Sequence, residues 1–135
     1  MLRLRSVDAH KAYKAVQWAH GEVKDDKQKI LEMLFDGLAA ALATSKYELT
    51  QGLPASSNLS LRRARRIVAG LVASLDSKYA PELCYDLAAI YKYILRQLDR
   101  VEAYSDVSAL EDILEMTRTL REAWSAQAYP FKSVA

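Results

Sequence analysis

The chain has 135 residues, a formal net charge of +2, 51% apolar residues and 27% charged ones. That balance suits a single globular domain with a core of its own, and excludes a disordered chain or a polyanion binder acting through overall charge. With only four Gly and three Pro there is little turn material for an all-β fold, and one cysteine excludes an internal disulfide or a thiolate zinc site.

The start, Met1-Leu2-Arg3-Leu4-Arg5, lacks the apolar region of a signal peptide. The longest apolar run, Leu38 to Ala43, is too short to span a bilayer. A soluble, cytosolic protein without membrane insertion is expected. The stretch 1–24 is loosely patterned and reads as an N-terminal arm or short helix, with Ala9 to Trp18 as its candidate helical part.

Four helices follow from the 3.6-residue period of apolar positions. The first covers about Lys27 to Ser45, opened by Asp25 and Asp26, whose charge suits a helix N-terminus. Ile30, Leu31, Leu34, Phe35, Leu38 and Leu42 form its apolar stripe. The polar segment Glu48 to Asn58 contains Gly and Pro and reads as a loop.

The second helix is predicted over about Leu59 to Ser77, capped by Asn58 or Ser60, with Ala64, Ile67, Val68, Leu71, Val72 and Leu75 inward. Pro81 opens the third, at a position where its missing N–H costs nothing, and that helix runs to about Ala103. Leu83, Leu87, Ile90, Ile94, Leu98 and Val101 are its seam. The fourth begins after Asp106, where Ser108 and Glu111 have capping-box spacing, and carries Leu110, Ile113, Leu114, Thr117, Leu120 and Trp124 along one side.

Short connections make successive helices antiparallel, so the expected architecture is an all-α, up-down four-helix bundle over residues 25–126. Residues 127–135 read as a C-terminal tail. Leu34, Leu38, Ile67, Leu71, Ile90, Ile94, Leu114 and Leu120 are the expected core.

No catalytic constellation is visible. Di-iron bundles need Glu-x-x-His pairs on facing helices, yet the only histidines, His10 and His20, lie in the arm. The same lack of a base defeats hydrolase logic around Cys84, which reads as a buried, unreactive thiol. The glycines form no phosphate-binding fingerprint, so neither enzyme nor cofactor is expected.

Arg62, Arg63, Arg65 and Arg66 are the one concentrated charge feature. They read as a solvated helix face whose stems cover apolar surface, with an electrostatic handle for an acidic protein partner, and after it a nucleic-acid patch, as the alternatives. The third helix is apolar over more than one stripe: Cys84, Ala88, Tyr91 and Leu95 lie beside its main seam. That surplus needs covering by the arm, by a partner, or by each in turn.

Four segments in chain order carry a family likeness: Ala12-Tyr13, Met33-Leu34-Phe35-Asp36-Gly37, Ile90-Tyr91-Lys92-Tyr93-Ile94-Leu95-Arg96, and Leu120-Arg121-Glu122-Ala123-Trp124. Together they resemble the flagellar secretion chaperone FliS family, over about Ala12 to Trp124. Phe35 stands where the family usually has Tyr, and Asp25-Asp26-Lys27-Gln28 replaces a Ser-Pro helix start.

The resemblance implies a chaperone that holds the disordered C-terminal segment of flagellin in apolar grooves and delivers it to the export-gate protein of the flagellar secretion system. It also implies an arm that occupies a groove through Tyr13 until cargo displaces it. The candidate partner-binding residues are Tyr13, Val16, Leu34, Phe35, Tyr91, Leu95 and Trp124. No nucleic-acid partner is expected on this reading, and a homodimer is compatible with it.

Overall fold

The computed structural model describes the backbone of residues 25–78 and 81–134, with side chains over 29–78, 81–82 and 84–122. It contains α1 (Asp25–Thr50), a 3-10 turn (Ala55–Ser57), α2 (Leu59–Ala73), α3 (Pro81–Tyr104) and α4 (Val107–Val134). No strand occurs among the described residues. Each helix packs against two others: α1 against α2 and α4, and α3 against the same pair. That ring of neighbours is an all-α bundle.

Side-chain pairs fix the register. Lys46 reaches Glu111 at 3.8 Å, and Asp36 meets Arg121 at 2.6 Å, so α1 and α4 run antiparallel. The backbone of α4 is helical to Val134, through the segment expected to be a tail.

Phe35, Leu38, Leu42, Leu61, Leu71, Tyr91, Ile94, Leu98, Leu110 and Ile113 are the largest fully buried side chains. Leu114, Leu120 and Ile90 are also buried, as expected, but Leu34 and Ile67 sit half-buried at the core edge. The side chain of Leu83, expected in the α3 seam, lies outside the described residues. Ile30, placed in the inward stripe by periodicity, is 55% exposed. The cause is angular: positions 31, 35, 38 and 42 already fill the inward arc of α1, and Ile30 points about 100° away from Leu31.

Local sequence decides the helix ends. α1 runs five residues past the expected Ser45 and stops at Gly52, which takes φ +86°. The Leu53 N–H donates to the Glu48 carbonyl at 3.0 Å and the Gly52 N–H to that of Leu49 at 3.1 Å. This is a Schellman stop, and it needs a residue at ease in the left-handed region. The expected loop from Glu48 therefore shortens to Gln51–Asn58.

Asn58, buried, caps α2: its Oδ1 accepts the Leu61 N–H at 2.9 Å and the Ser45 hydroxyl at 3.1 Å, and its Nδ2 donates to Glu48 Oε1 at 3.1 Å. α2 ends at Ala73, short of Ser77; Ser74 closes the last turn by donating N–H to Gly70 O and Oγ–H to Leu71 O. At the start of α4 the cap is Asp106, whose Oδ1 accepts the Ala109 N–H at 3.1 Å, rather than Ser108. The tight two-residue connection places Ser105 at φ 52°.

Candidate functional site

The segments Met33–Gly37 and Leu120–Trp124 are far apart in sequence, yet the fold sets them side by side on α1 and α4. Arg121 Nε donates to Asp36 Oδ1 at 2.6 Å and its Nη2 to Oδ2 at 3.3 Å. That hydrogen bond, stronger than the opposing effect of burial, holds the Arg121 guanidinium above its ordinary pKa. A pair this open to solvent adds no more than about 1 kcal/mol, so its main effect is on registration.

Each motif also places one large apolar side chain in the core. Phe35 is 1% exposed and Leu120 2%, both in the core. Gly37 is half-buried against α2.

The structure separates the seven candidate residues. Tyr13 and Val16 lie outside the described residues, as does the side chain of Trp124. Phe35 and Tyr91 are core side chains, whereas Leu34 and Leu95 are half-buried at its edge. Burial pushes the Tyr91 hydroxyl well above the usual tyrosine range, with nearby Cys84 adding to the effect. Tyr91 thus fills the bundle instead of supplying a surface stripe, and Cys84, 8% exposed, lies in the same core.

Tyr93 is different. Its hydroxyl donates to Asp112 Oδ2 across the α3–α4 boundary, and that bond, more than its burial, raises its pKa. The outer face of α3 carries exposed Tyr85 and a shallow depression lined by Tyr85, Ala88, Ala89, Lys92 and Arg96.

The expected second stripe of α3 is partly core, with Cys84 and Tyr91 buried, and a continuous exposed apolar stripe lies on α1 instead. Ile30, Met33, Tyr47, Leu53, Leu59, Tyr85 and Tyr104 are the exposed large apolar or aromatic side chains among the described residues. The first five come from α1, the loop after it and the first residue of α2. On α1 they extend into a second stripe, Ile30, Met33, Gly37, Ala40, Thr44 and Tyr47, spaced three and four residues apart in alternation. Met33 is 71% exposed and Tyr47 66%, with Ala40 and Thr44 exposed between them. The stripe carries no charge, and Thr44, its one aliphatic polar member, still offers a methyl group. Sequence reasoning missed this face because it assigned Ile30 to the core and ended α1 before Tyr47. The alternating spacing was the available signal.

Of the arginine run, Arg65 belongs to the α2–α3 boundary. It meets Asp99 at 2.8 Å and Glu102 at 3.1 Å. Arg62, Arg63 and Arg66 are exposed and make no ion pair among the described residues. No group of three or more His, Cys, Asp or Glu gathers as a metal site among the described residues, and no helix there is long and apolar enough to cross a membrane.

Comparison with known proteins supplies the family. Residues 9–130 match the family described as Flagellar protein FliS. The chain is 31% identical over 114 residues to the Flagellar secretion chaperone FliS of Escherichia coli (strain K12), covering 84% of each. It is 30% identical over 115 residues to the protein of that name from Salmonella typhimurium, covering 84% of this chain and 85% of the relative. A Vibrio cholerae relative of the same name is 25% identical over 113 residues, covering 84% of this chain and 83% of the relative. With a helical bundle, both motif segments joined at Asp36–Arg121, and a match over nearly the whole chain, this protein belongs to the FliS family of flagellar secretion chaperones.

Proposed function

We propose that this protein is a cytosolic export chaperone that covers the amphipathic C-terminal segment of flagellin, prevents its premature polymerisation and hands it to the export gate. The observation that carries the reading is the outer face of α1. It is an uncharged, largely apolar stripe along the helix that the bundle itself does not use, spaced to accept another helix. A disordered segment that folds on such a face buries its own apolar seam, and the large covered area offsets the ordering cost.

Leu34, half-buried at the core edge of α1, adjoins that surface, and Leu95, half-buried on α3 across the bundle, is assigned to a separate apolar edge. Phe35 and Tyr91 act from beneath, by setting the shape of the bundle. Tyr13 and Val16 are assigned to an arm that occupies a groove while cargo is absent, and Trp124 to the groove's α4 rim. A nucleic-acid role for the arginine run is disfavoured because Arg65 is committed to Asp99 and Glu102, and the relatives are named as secretion chaperones.

Size-exclusion co-elution with full-length and C-terminally truncated flagellin tests the reading. A complex with the full-length protein that is lost on truncation is the expected result. Equal binding of both would overturn the assignment of the cargo segment, and binding of neither would overturn the function.

A further inference from the structure

We infer that the outer stripe of α1 and the arginines of α2 form one docking surface, whose ligand is an amphipathic helix with acidic residues along the flank that faces α2. The inference rests on the reading of α1's outer face as the cargo-holding surface, and adds to it the chemistry of the ligand.

Charge supplies the first argument. α2 contains four arginines and no acidic residue. Among the described residues only Arg65 is compensated, by Asp99 and Glu102. Arg63 leans across to α1: its Nη2 lies 3.6 Å from where a Cβ on Gly37 would be, and Ile67 Cδ1 lies 3.5 Å from the same point. Arg66 is one turn further along the same edge. Exposed cations without ion-pair partners among the described residues, beside an exposed apolar stripe, complement a helix that is apolar on its seam and acidic on one side.

Backbone approach supplies the second. A glycine inside a helix costs stability relative to alanine, so it needs a reason. At Gly37 the missing Cβ would make only ordinary contacts, and at Gly70, a turn beyond Arg66 on α2, it would meet nothing within 4 Å. Packing within the bundle therefore explains neither glycine. Gly37 lies within the stripe itself, between its exposed members Met33 and Ala40, where a partner helix would come closest.

The same charges set the ligand apart from this chain's own segments: an arm that covers apolar surface in the free protein leaves the arginines without an acidic flank. Residues 1–24 carry five basic residues (Arg3, Arg5, Lys11, Lys14, Lys24) against two acidic ones (Asp8, Glu22), and residues 123–135 carry no acid at all. Neither segment supplies the acidic flank. The stripe from Ile30 to Tyr47 accommodates a partner helix of about 18 residues at about 1.5 Å per residue.

Fluorescence anisotropy with the full chain tests this. The probes are two synthetic helical peptides with one apolar seam and either Glu or Lys on one flank, run beside a flagellin C-terminal peptide and an RNA of about 20 nucleotides. The acidic peptide is expected to bind about tenfold or more tighter than the basic one, and Arg63→Glu/Arg66→Glu to reverse that order. Lys92→Glu, the same charge change on the outer face of α3, a helix that packs against α2 and α4 rather than α1, should do much less. Ala40→Gln should weaken both peptides, and Gly37→Ala should weaken binding while raising the melting temperature, a split that a purely structural glycine would not produce.

Equal affinity for the two peptides overturns the inference. So does RNA binding that tracks the arginines and ignores Ala40→Gln, or a concentration-dependent dimer that Ala40→Gln abolishes. If the flagellin peptide binds wild type and all these variants alike, the docking surface falls and the export-chaperone reading stands. If it fails to bind wild type while the acidic peptide binds as expected, the reverse holds.

Discussion

The Asn58 side chain closes three contacts at the corner between α1 and α2: the Leu61 N–H, the Ser45 hydroxyl and the Glu48 carboxylate. Asn58→Ala removes an N-cap worth about 1 kcal/mol and strips a partner from buried Ser45, so a loss of about 2 kcal/mol is expected in urea denaturation. Asn58→Asp keeps the acceptor but sets a carboxylate beside Glu48, and should fall between the two. Tyr93 gives a pH signature. Its bond to Asp112 raises its folded-state pKa above the ordinary value of 10.0. The folded state therefore holds the proton more tightly than the unfolded one. The resulting stability is complete below about pH 10 and is lost as pH climbs through the raised value. Tyr93→Phe should lower the urea midpoint at about pH 8 and flatten its decline above about pH 10. Buried Tyr91, shifted the same way, leaves a residual slope.

At the scale of elements, α1 has two apolar faces where the other helices are built around one. Its inward arc is closed by Leu31, Phe35, Leu38 and Leu42, and its outward stripe runs from Ile30 to Tyr47. Gly37 sits where this second stripe meets α2. Gly37→Ala should stabilise the free protein by about 0.5–1 kcal/mol, since the added methyl meets Ile67 and Arg63 only at ordinary distances. A thermal melt checks it, and a loss of stability would mean that the helix needs glycine's conformational freedom there. The length of α1 was legible in principle from Gly52, whose left-handed backbone ends the helix, but the polar run after Ser45 masks it by composition. The α3 surplus was misplaced for a related reason. Tyr91 follows Leu87 by four residues and Ile94 precedes Leu98 by four, so all share one broad arc, and a broad arc on a helix with two neighbours is core.

For the whole molecule, the bundle and the arm make opposed demands on the same surface. An arm that occupies a groove protects apolar surface in the free protein, and cargo must displace it. Tyr13→Ala should therefore slightly lower the melting temperature and leave flagellin affinity equal or higher, because the cost of opening falls. Calorimetric titration of the flagellin C-terminal segment, with a melt of each variant, checks it. A loss of about 2 kcal/mol in binding with unchanged stability would make Tyr13 a direct cargo contact instead. A loss of stability without any binding effect would make it a core residue.

Four amphipathic periods, the cap at Asn58, the first-turn Pro81 and motif order were enough to determine by sequence the helical bundle and the family. Those features are local: a helix's period, its first turn and its stop depend on residues within four or five positions of one another. Which apolar stripe is core and which is surface was decided only by tertiary structure. Ile30 and Leu31 are equally apolar neighbours, and the position of α2 and α4 around α1 buries one and exposes the other. The same holds for charge. The four arginines of α2 are alike in sequence, but antiparallel packing brings Asp99 and Glu102 to Arg65 alone and turns Arg63 over Gly37. Asp36 and Arg121, unconnected in sequence, become a pair because α1 and α4 lie side by side in one register, and no local spacing encodes that.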